Sequence, residues 1–144
     1  MQAGDWFDND VTGERFTWLS TAEESGGALT RFRLDVKPGG FVSGEHIHPS
    51  SVESFTVRSG LLSFRLAGAV SELGPGMSSM VPAGVPHVWW NSADEPLSVE
   101  VEVSPAARTE EFLATWAGLG QWDKMNAKGM PNLLWLSLVA HEFS

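Results

Sequence analysis

Residues 40–60 read GFVSGEHIHPSSVESFTVRSG, a stretch that brings two histidines and a glutamate onto neighbouring predicted strands. His46 and His48 are two residues apart, so both side chains point to the same face of a strand. Pro49 and the serines after it permit a turn, and Glu53 follows on the next strand. If the two strands pair, the Glu53 carboxylate can approach both imidazoles.

A second stretch, residues 76–91, reads GMSSMVPAGVPHVWWN and places a third histidine on another strand. His87 follows a Pro-Ala-Gly turn and shares a strand face with Trp89 and Asn91. Asn91 is expected to cap or brace a turn at the strand end. Three imidazoles and one carboxylate that meet on the inner side of such strands form a nitrogen and oxygen site for a divalent transition metal. The predicted metal ligands are therefore His46, His48, Glu53 and His87.

The same residues leave alternatives to metal binding open. A water-filled polar pocket needs no ion, but burying three imidazoles and a carboxylate without a metal leaves costly unpaired polar groups. Glu53 is also the candidate catalytic residue, because it can serve as a general base or as a hydrogen-bond partner that orients a histidine. His141 lies away from this pattern and is predicted to be a surface residue.

Apolar and polar residues alternate with period two in several segments of the chain, as in an antiparallel sheet with one dry face. The clearest segments are residues 31–36, 62–66 and 97–103, and turn signals rich in glycine and proline separate them. Many short strands at such spacing predict an all-β sandwich or barrel. We expect a single domain over residues 1–144, with its barrel over about residues 14–103.

The composition changes after Val103, where helical spacing replaces alternation. This spacing predicts a helix over about residues 106–117 that a glycine ends, followed by a loop over residues 121–129. Residues 131–142 resemble a second helix, apolar nearly all round, which indicates burial against the barrel or a partner subunit. The alternative is that this segment is the beginning of something longer. Residues 104–144 therefore form a predicted helical tail.

The formal net charge of −9 and the absence of cysteine limit the classes of function. Without a basic run, the chain offers no footprint for nucleic acid or for anionic lipid. It shows neither a secretory signal nor an apolar stretch long enough to span a bilayer, so we expect a soluble cytoplasmic protein without a membrane partner. With no thiolates, any metal must be held by histidine, aspartate or glutamate.

The two stretches resemble the two sequence motifs of the cupin superfamily. The first matches motif 1 without a gap: Gly40, five residues, His46-Ile47-His48, four residues, Glu53, six residues and Gly60. The second matches motif 2: Gly76, five residues, Pro82-Ala83-Gly84, two residues, His87, three residues and Asn91. So many fixed positions in register make the resemblance specific. The short spacer and the helical tail are similar to those of small single-domain bacterial cupins.

The resemblance implies an antiparallel jelly-roll β-barrel that is open at one end, with the metal near its mouth. Family members hold Fe, Mn, Ni, Cu, Co or Zn on the residues that match the four predicted ligands, and they often dimerise. A homodimer is also expected because an exposed apolar helix is a liability for a monomer. Arg33 and Arg65 fall on the predicted polar face, where we expect them to be solvated.

Open coordination positions beside four protein ligands indicate a reactive site rather than a structural one. The first hypothesis is a metal-dependent oxygenase of the dioxygenase type, acting on a small organic substrate that chelates the metal. The alternatives are a non-oxidative isomerase, lyase or cyclase, and a non-catalytic barrel that binds a small molecule. Aromatic side chains are predicted to line the substrate pocket, although plain core packing explains them equally well. They are Phe41, Phe55, Phe64 and Trp89.

Overall fold

The computed structural model describes residues 1–42 and 44–121. Within these ranges the chain forms nine β-strands followed by one α-helix. In chain order they are β1 (Trp6–Asn9), β2 (Glu14–Ser20), β3 (Thr30–Val36), β4 (Val52–Ser59), β5 (Leu62–Leu66), β6 (Ala69–Leu73), β7 (Ser78–Val81), β8 (His87–Trp90), β9 (Leu97–Ser104) and α1 (Thr109–Gln121).

The strands form two antiparallel sheets. One sheet has six strands in the order β1-β2-β3-β9-β4-β7, and the other has three in the order β6-β5-β8. One cluster of buried apolar side chains takes members from both sheets, so the sheets face each other across a shared core. This arrangement confirms the all-β jelly-roll barrel with a helix at its C-terminal side.

The central strands β3 and β9 show the predicted alternation. Phe32 and Leu34 are buried on β3, and every second residue of β9 from Leu97 to Val103 is at most 1% exposed. Leu34 is paired with Val99 across the two strands. Each such buried side chain contributes roughly 1.5–3 kcal/mol, and a slip of one residue would move the whole row into solvent. The apolar row therefore fixes the register.

The register defines two ends of the barrel. Glu53, near the start of β4, is paired with Val103 at one end, and its carboxylate lies beside His87, the first residue of β8. We call this the ligand end. Asn91 follows β8 at the opposite end, where Glu14 is paired with Val36. The candidate site therefore lies at one end of the barrel only.

The sheet begins earlier than the sequence predicted. β1 precedes residue 14 and pairs with β2. Its four residues lack a clean alternation, because Trp6 is 58% exposed whereas the neighbouring Phe7 packs against the core. A pattern of period two therefore gave no indication of this strand.

The helix α1 is displaced from its predicted position over residues 106–117. It begins at Thr109 because Ala107 has a left-handed backbone with a φ of 48°, which a right-handed helix cannot contain. It continues past Gly118 to Gln121, since a glycine inside a helix costs only about 1 kcal/mol. The predicted second helix over residues 131–142, with His141, lies outside the described residues, as does most of the predicted loop over residues 121–129.

Within the described ranges, no helix has the length and apolar character that a membrane span requires.

Candidate metal centre

The segment between β3 and β4 carries the first two histidines and is not a regular strand. Isolated bridges join it to β8, with Phe41 opposite Trp90 and His46 opposite His87. The backbone N–H groups of His46 and His87 each donate to the other residue's carbonyl oxygen at 3.0 Å. The segment does not pair with β4, because β9 and β7 already occupy the two sides of β4.

Two further contacts hold the same segment in place. The backbone N–H of Gly84, in the turn before β8, donates to the carbonyl oxygen of His48 at 2.8 Å. Nε of Arg65 on β5 lies 2.9 Å from the carboxylate of Glu45. The histidines are thus attached to the three-stranded sheet, although Glu53 belongs to the six-stranded one.

The four predicted ligands converge at the ligand end. One ligand atom from each side chain lies within 4.8 Å of the other three. Nε2 of His48 is 2.6 Å from Oε2 of Glu53, and Nε2 of His87 is 3.4 Å from the same oxygen. The ring centroids of His46 and His87 are 4.3 Å apart. The structure therefore brings together all four side chains that the sequence predicts as metal ligands.

The site is accessible from one side. Glu53 and His87 are only 4% and 3% exposed, whereas His46 and His48 are half-buried. An ion or a small molecule can therefore approach along the two histidines of the connecting segment, while Glu53 and His87 face the interior of the barrel.

Two of the imidazoles are oriented by backbone carbonyl groups. Nδ1 of His46 is 3.1 Å from the carbonyl oxygen of Gly44, and Nδ1 of His87 is 3.0 Å from that of Val85. Such hydrogen bonds fix the ring plane and aim Nε2 at the centre of the site. Neither carbonyl was predicted from the sequence. Both belong to the residue two positions before the histidine, but every residue has a backbone carbonyl, so the sequence carries no signal for these contacts.

The charges in the cluster shift the pKa values of its members. Burial raises the pKa of Glu53, but the imidazoles of His48 and His87 outweigh it and bring the pKa to about 2. Burial lowers the pKa of His46, and the neighbouring His87 adds to the effect. Burial also lowers the pKa of His87, but the carboxylate of Glu53 outweighs it and raises the pKa overall. Glu53 is thus a negatively charged carboxylate at neutral pH and can serve as an anionic metal ligand.

The arrangement of donor atoms suits a bound cation. The Nε2 atoms of His48 and His87 are buried and make no hydrogen bond of good geometry, although Oε2 of Glu53 lies close to both. Leaving a buried polar atom unpaired is costly, and an ion among these atoms would pair them all. Among the described residues, no other group of His, Cys, Asp or Glu side chains has this geometry. Three nitrogens and a carboxylate oxygen are compatible with any of Fe, Mn, Ni, Cu, Co or Zn.

Three of the four predicted pocket aromatics lie beneath the ligands. Phe55 follows Glu53 by two residues on β4, and Trp89 follows His87 by two on β8. The ring of Phe55 contacts Trp89 and Phe64 edge-to-face, with centroids 5.0 and 5.5 Å apart. All three aromatics are between 1% and 8% exposed and belong to the core. They form a packed floor, and contact with a substrate stays a prediction.

The fourth aromatic, Phe41, lies further from the ligands. Its partner Trp90 is the last residue of β8, whereas His87 is the first, a separation of roughly 10 Å along a strand. Phe41 is half-buried and lines a small apolar cavity of about 10 Å³ together with Trp89, which is about the volume that one water needs.

Asn91 braces the opposite end of β8. Its side-chain amide lies within hydrogen-bonding distance of the carbonyl oxygens of Val36, Lys37 and Glu95, at 2.8–3.3 Å. Its side-chain oxygen accepts a hydrogen bond from the backbone N–H of Ala93 at 3.1 Å. The predicted bracing role of Asn91 is confirmed.

Comparison with known proteins agrees with this architecture. The sequence profile of the family described as Cupin domain matches residues 32–104, about half of the chain. This match includes the segment with His46 and His48, Glu53 on β4 and His87 on β8. No curated protein matches the sequence.

Several solved structures share the fold. An RmlC-like cupin from Shewanella frigidimarina has a TM-score of 0.64 and 19% identity, over 74% of this chain and 88% of that chain. A predicted oxalate decarboxylase from Thermotoga maritima has a TM-score of 0.63 and 19% identity, over 72% of this chain and 92% of that chain. A cupin-superfamily sugar phosphate isomerase from Silicibacter pomeroyi has a TM-score of 0.59 and 22% identity, over 72% of this chain and 69% of that chain. At these identities the likeness establishes the fold alone.

Proposed function

This chain belongs to the cupin domain family, and from that premise we propose that it is a metal-dependent oxygenase. In this proposal the ligands of one divalent transition-metal ion are His46, His48, Glu53 and His87. The substrate is a small organic molecule that chelates the ion through its own oxygens. The bound ion would supply a Lewis acid and, where the metal is redox-active, a centre for dioxygen chemistry.

The observation that carries the proposal is the convergence of the four side chains within 4.8 Å of one another. Two of their buried ring nitrogens share one carboxylate oxygen of Glu53 without a hydrogen bond of good geometry. Oxygen and nitrogen ligands of this kind hold the redox-active metals of the first transition row. The half-buried His46 and His48 leave a side open for a substrate. A site closed on all sides would favour a structural ion instead.

The surroundings of the site indicate the class of substrate. The floor of Phe55, Phe64 and Trp89 is apolar and suits the body of a small aromatic or aliphatic molecule. The arginines of the described ranges each have a carboxylate within ion-pairing distance, and Arg33 and Arg65 are paired and half-buried. A substrate would thus be held mainly by its chelating oxygens and its apolar body.

Glu53 serves in this proposal as a ligand rather than as the general base. A carboxylate with a pKa of about 2 is a poor proton acceptor at neutral pH, because efficient bases have a pKa near the working pH. The two roles separate in Glu53→Gln: a ligand role predicts weaker metal binding, whereas a base role predicts lost turnover with the metal retained.

Dioxygen consumption tests the proposal. Metal-free protein is loaded separately with Fe²⁺, Mn²⁺ or Zn²⁺ and incubated with a panel of catechols, enediols and β-diketones. We expect oxygen uptake with a redox-active metal but not with zinc. Uptake should be lost in His87→Gln and kept in His141→Gln, which removes the histidine outside the two sequence motifs.

Two outcomes would contradict the oxygenase. Product formation with Zn²⁺ and without dioxygen would identify a non-oxidative isomerase, lyase or cyclase. Tight binding of a panel compound that is recovered unchanged with every metal would identify a non-catalytic binding barrel.

A further inference from the structure

The backbone carbonyls behind His46 and His87 determine which ring nitrogen carries the proton. A carbonyl oxygen only accepts hydrogen bonds, so the ring nitrogen that faces it must carry a hydrogen. This condition holds for Nδ1 of His46, 3.1 Å from Gly44 O, and for Nδ1 of His87, 3.0 Å from Val85 O. In the neutral ring, Nε2 is then left with its lone pair.

We propose that Gly44 and Val85 are positioning residues that hold His46 and His87 in the Nδ1–H tautomer before any ion arrives. The inference rests on the proposed metal site and adds to it the control of the tautomer. Free histidine in water favours the opposite tautomer, with the proton on Nε2. Without the two carbonyls, each ring would have to move a proton before its Nε2 could bind a metal.

His48 is held in a different way. In the described part of the chain its ring has no carbonyl contact of this kind, and its Nε2 lies 2.6 Å from Oε2 of Glu53. An ionised carboxylate also only accepts hydrogen bonds, so without an ion Glu53 favours a proton on Nε2 of His48, whereas the carbonyls favour one on Nδ1 of His46 and His87. His46 and His87 therefore have ring orientations suited to metal binding before an ion arrives, and their backbones are also paired with each other.

Gly44 is suited to this role by its backbone conformation. Its φ is 75°, in the left-handed region that glycine adopts without strain. A β-branched residue is strongly disfavoured in that region, whereas asparagine tolerates it. Gly44→Val should therefore displace the carbonyl oxygen from Nδ1 of His46, and Gly44→Asn should leave it in place.

The tautomers can be read directly by nuclear magnetic resonance. Long-range ¹H–¹⁵N spectra of the metal-free protein, at a pH where every ring is neutral, distinguish protonated from unprotonated ring nitrogens. Single His→Gln variants assign the signals. We expect a protonated Nδ1 in both His46 and His87. A protonated Nε2, or averaging between tautomers, in either ring would overturn the proposal whatever reaction the protein catalyses.

Zinc affinity provides the second readout. We expect Gly44→Val to bind Zn²⁺ about 10- to 100-fold more weakly than the unmodified protein, and Gly44→Asn to bind it within a few-fold. The matched control is Gly76→Val, because Gly76 also has a left-handed backbone, with a φ of 82°, but lies in the turn before β7. Equal losses in Gly44→Val and Gly76→Val would overturn the proposal.

The two readouts separate this inference from the proposed function. If the spectra showed a protonated Nδ1 in both rings but the protein bound no zinc, the tautomer proposal would be supported and the proposed metal site would be rejected. The spectra of the unmodified protein decide the question even if Gly44→Val does not fold.

Discussion

At the scale of single residues, the barrel buries two carboxyl groups whose neighbours give them opposite protonation. Burial raises the pKa of Glu14 to about 7, even though it accepts a 2.7 Å hydrogen bond from the hydroxyl of Thr12. Burial acts on Glu53 in the same direction, but His48 and His87 outweigh it and the pKa is about 2. The difference lies in the partner, since a neutral hydroxyl stabilises the anion much less than two imidazoles do.

The raised pKa of Glu14 predicts a loss of stability with rising pH. The folded state keeps the proton up to about pH 7 and the unfolded chain releases it near 4.5, so the free energy of unfolding falls as the pH rises through that window. Glu14→Gln should remove this dependence. We expect the variant and the unmodified protein to be equally stable near pH 4.5, and the variant to be more stable at pH 8 by up to about 3 kcal/mol.

Urea denaturation with a chelator present measures this difference without a contribution from metal. Glu53→Gln cannot serve as the control because Glu53 belongs to the site. Glu72→Gln, an exposed glutamate on β6, is the matched control and should show no pH-dependent gain. A constant difference between Glu14→Gln and the unmodified protein at both pH values would contradict the shifted pKa.

The sequence reveals some of these residues and not others. His46, His48, Glu53 and His87 could be predicted because both motifs match in register. Strand alternation in addition puts Glu53 and His87 on an inward face. The burial of Glu14 could not, although it shares an inward face of β2 with Phe16. From sequence alone, a charged residue in an apolar row is expected at an exposed strand end. The hydrogen bond from Thr12 that accompanies the burial of Glu14 is visible only in the structure.

At the scale of elements, β8 links the two ends of the barrel. Its first residue, His87, pairs with His46, and its last, Trp90, pairs with Phe41. Asn91 directly after it joins three carbonyl groups. One short strand thus carries a metal-ligand candidate at one end and a structural brace at the other.

This division predicts that Asn91 contributes to stability and not to the site. Asn91 is 1% exposed, and Asn91→Ala leaves the buried carbonyl of Val36 and the part-buried carbonyls of Lys37 and Glu95 without this donor. The loss should lower the free energy of unfolding by roughly 2–4 kcal/mol. Zinc affinity should stay within a few-fold of the unmodified value. Asn91→Asp, which keeps the acceptor oxygen and loses the donors, should cost nearly as much.

The control for this pair is Ser92→Ala, which removes a single 3.0 Å hydrogen bond to Ser63 and should cost less. Denaturation midpoints and a zinc titration provide both measurements. A stable Asn91→Ala protein, or one with a large loss of zinc affinity, would contradict the assignment.

The elements were predictable where local patterns decide them and not where distant partners do. Alternation identifies β3, β5 and β9 because their rows are regular. The pairing of the His46 segment with β8 instead of β4 depends on which strand edges remain open, and a local pattern carries no such information. The start of α1 depends in the same way on one backbone angle, at Ala107.

At the scale of the whole molecule, a packed core separates the ligand end from the end that Asn91 braces. The ligand end is built from irregular segments that can hold unusual geometry, such as the left-handed Gly44. The aromatic floor closes this end from below, so a substrate should bind at the mouth of the barrel and not deep inside. The homodimer stays a prediction, because the apolar residues 131–142 lie outside the described part of the chain.

The most direct measurement of the central claim is anomalous X-ray diffraction from crystals of the full chain grown with Zn²⁺ or Co²⁺. We predict one strong anomalous peak per chain, with Nε2 of His46, His48 and His87 and a carboxylate oxygen of Glu53 at about 2.0–2.2 Å from it. A peak elsewhere on the chain, or four side chains that converge as described here without any bound ion, would contradict the claim.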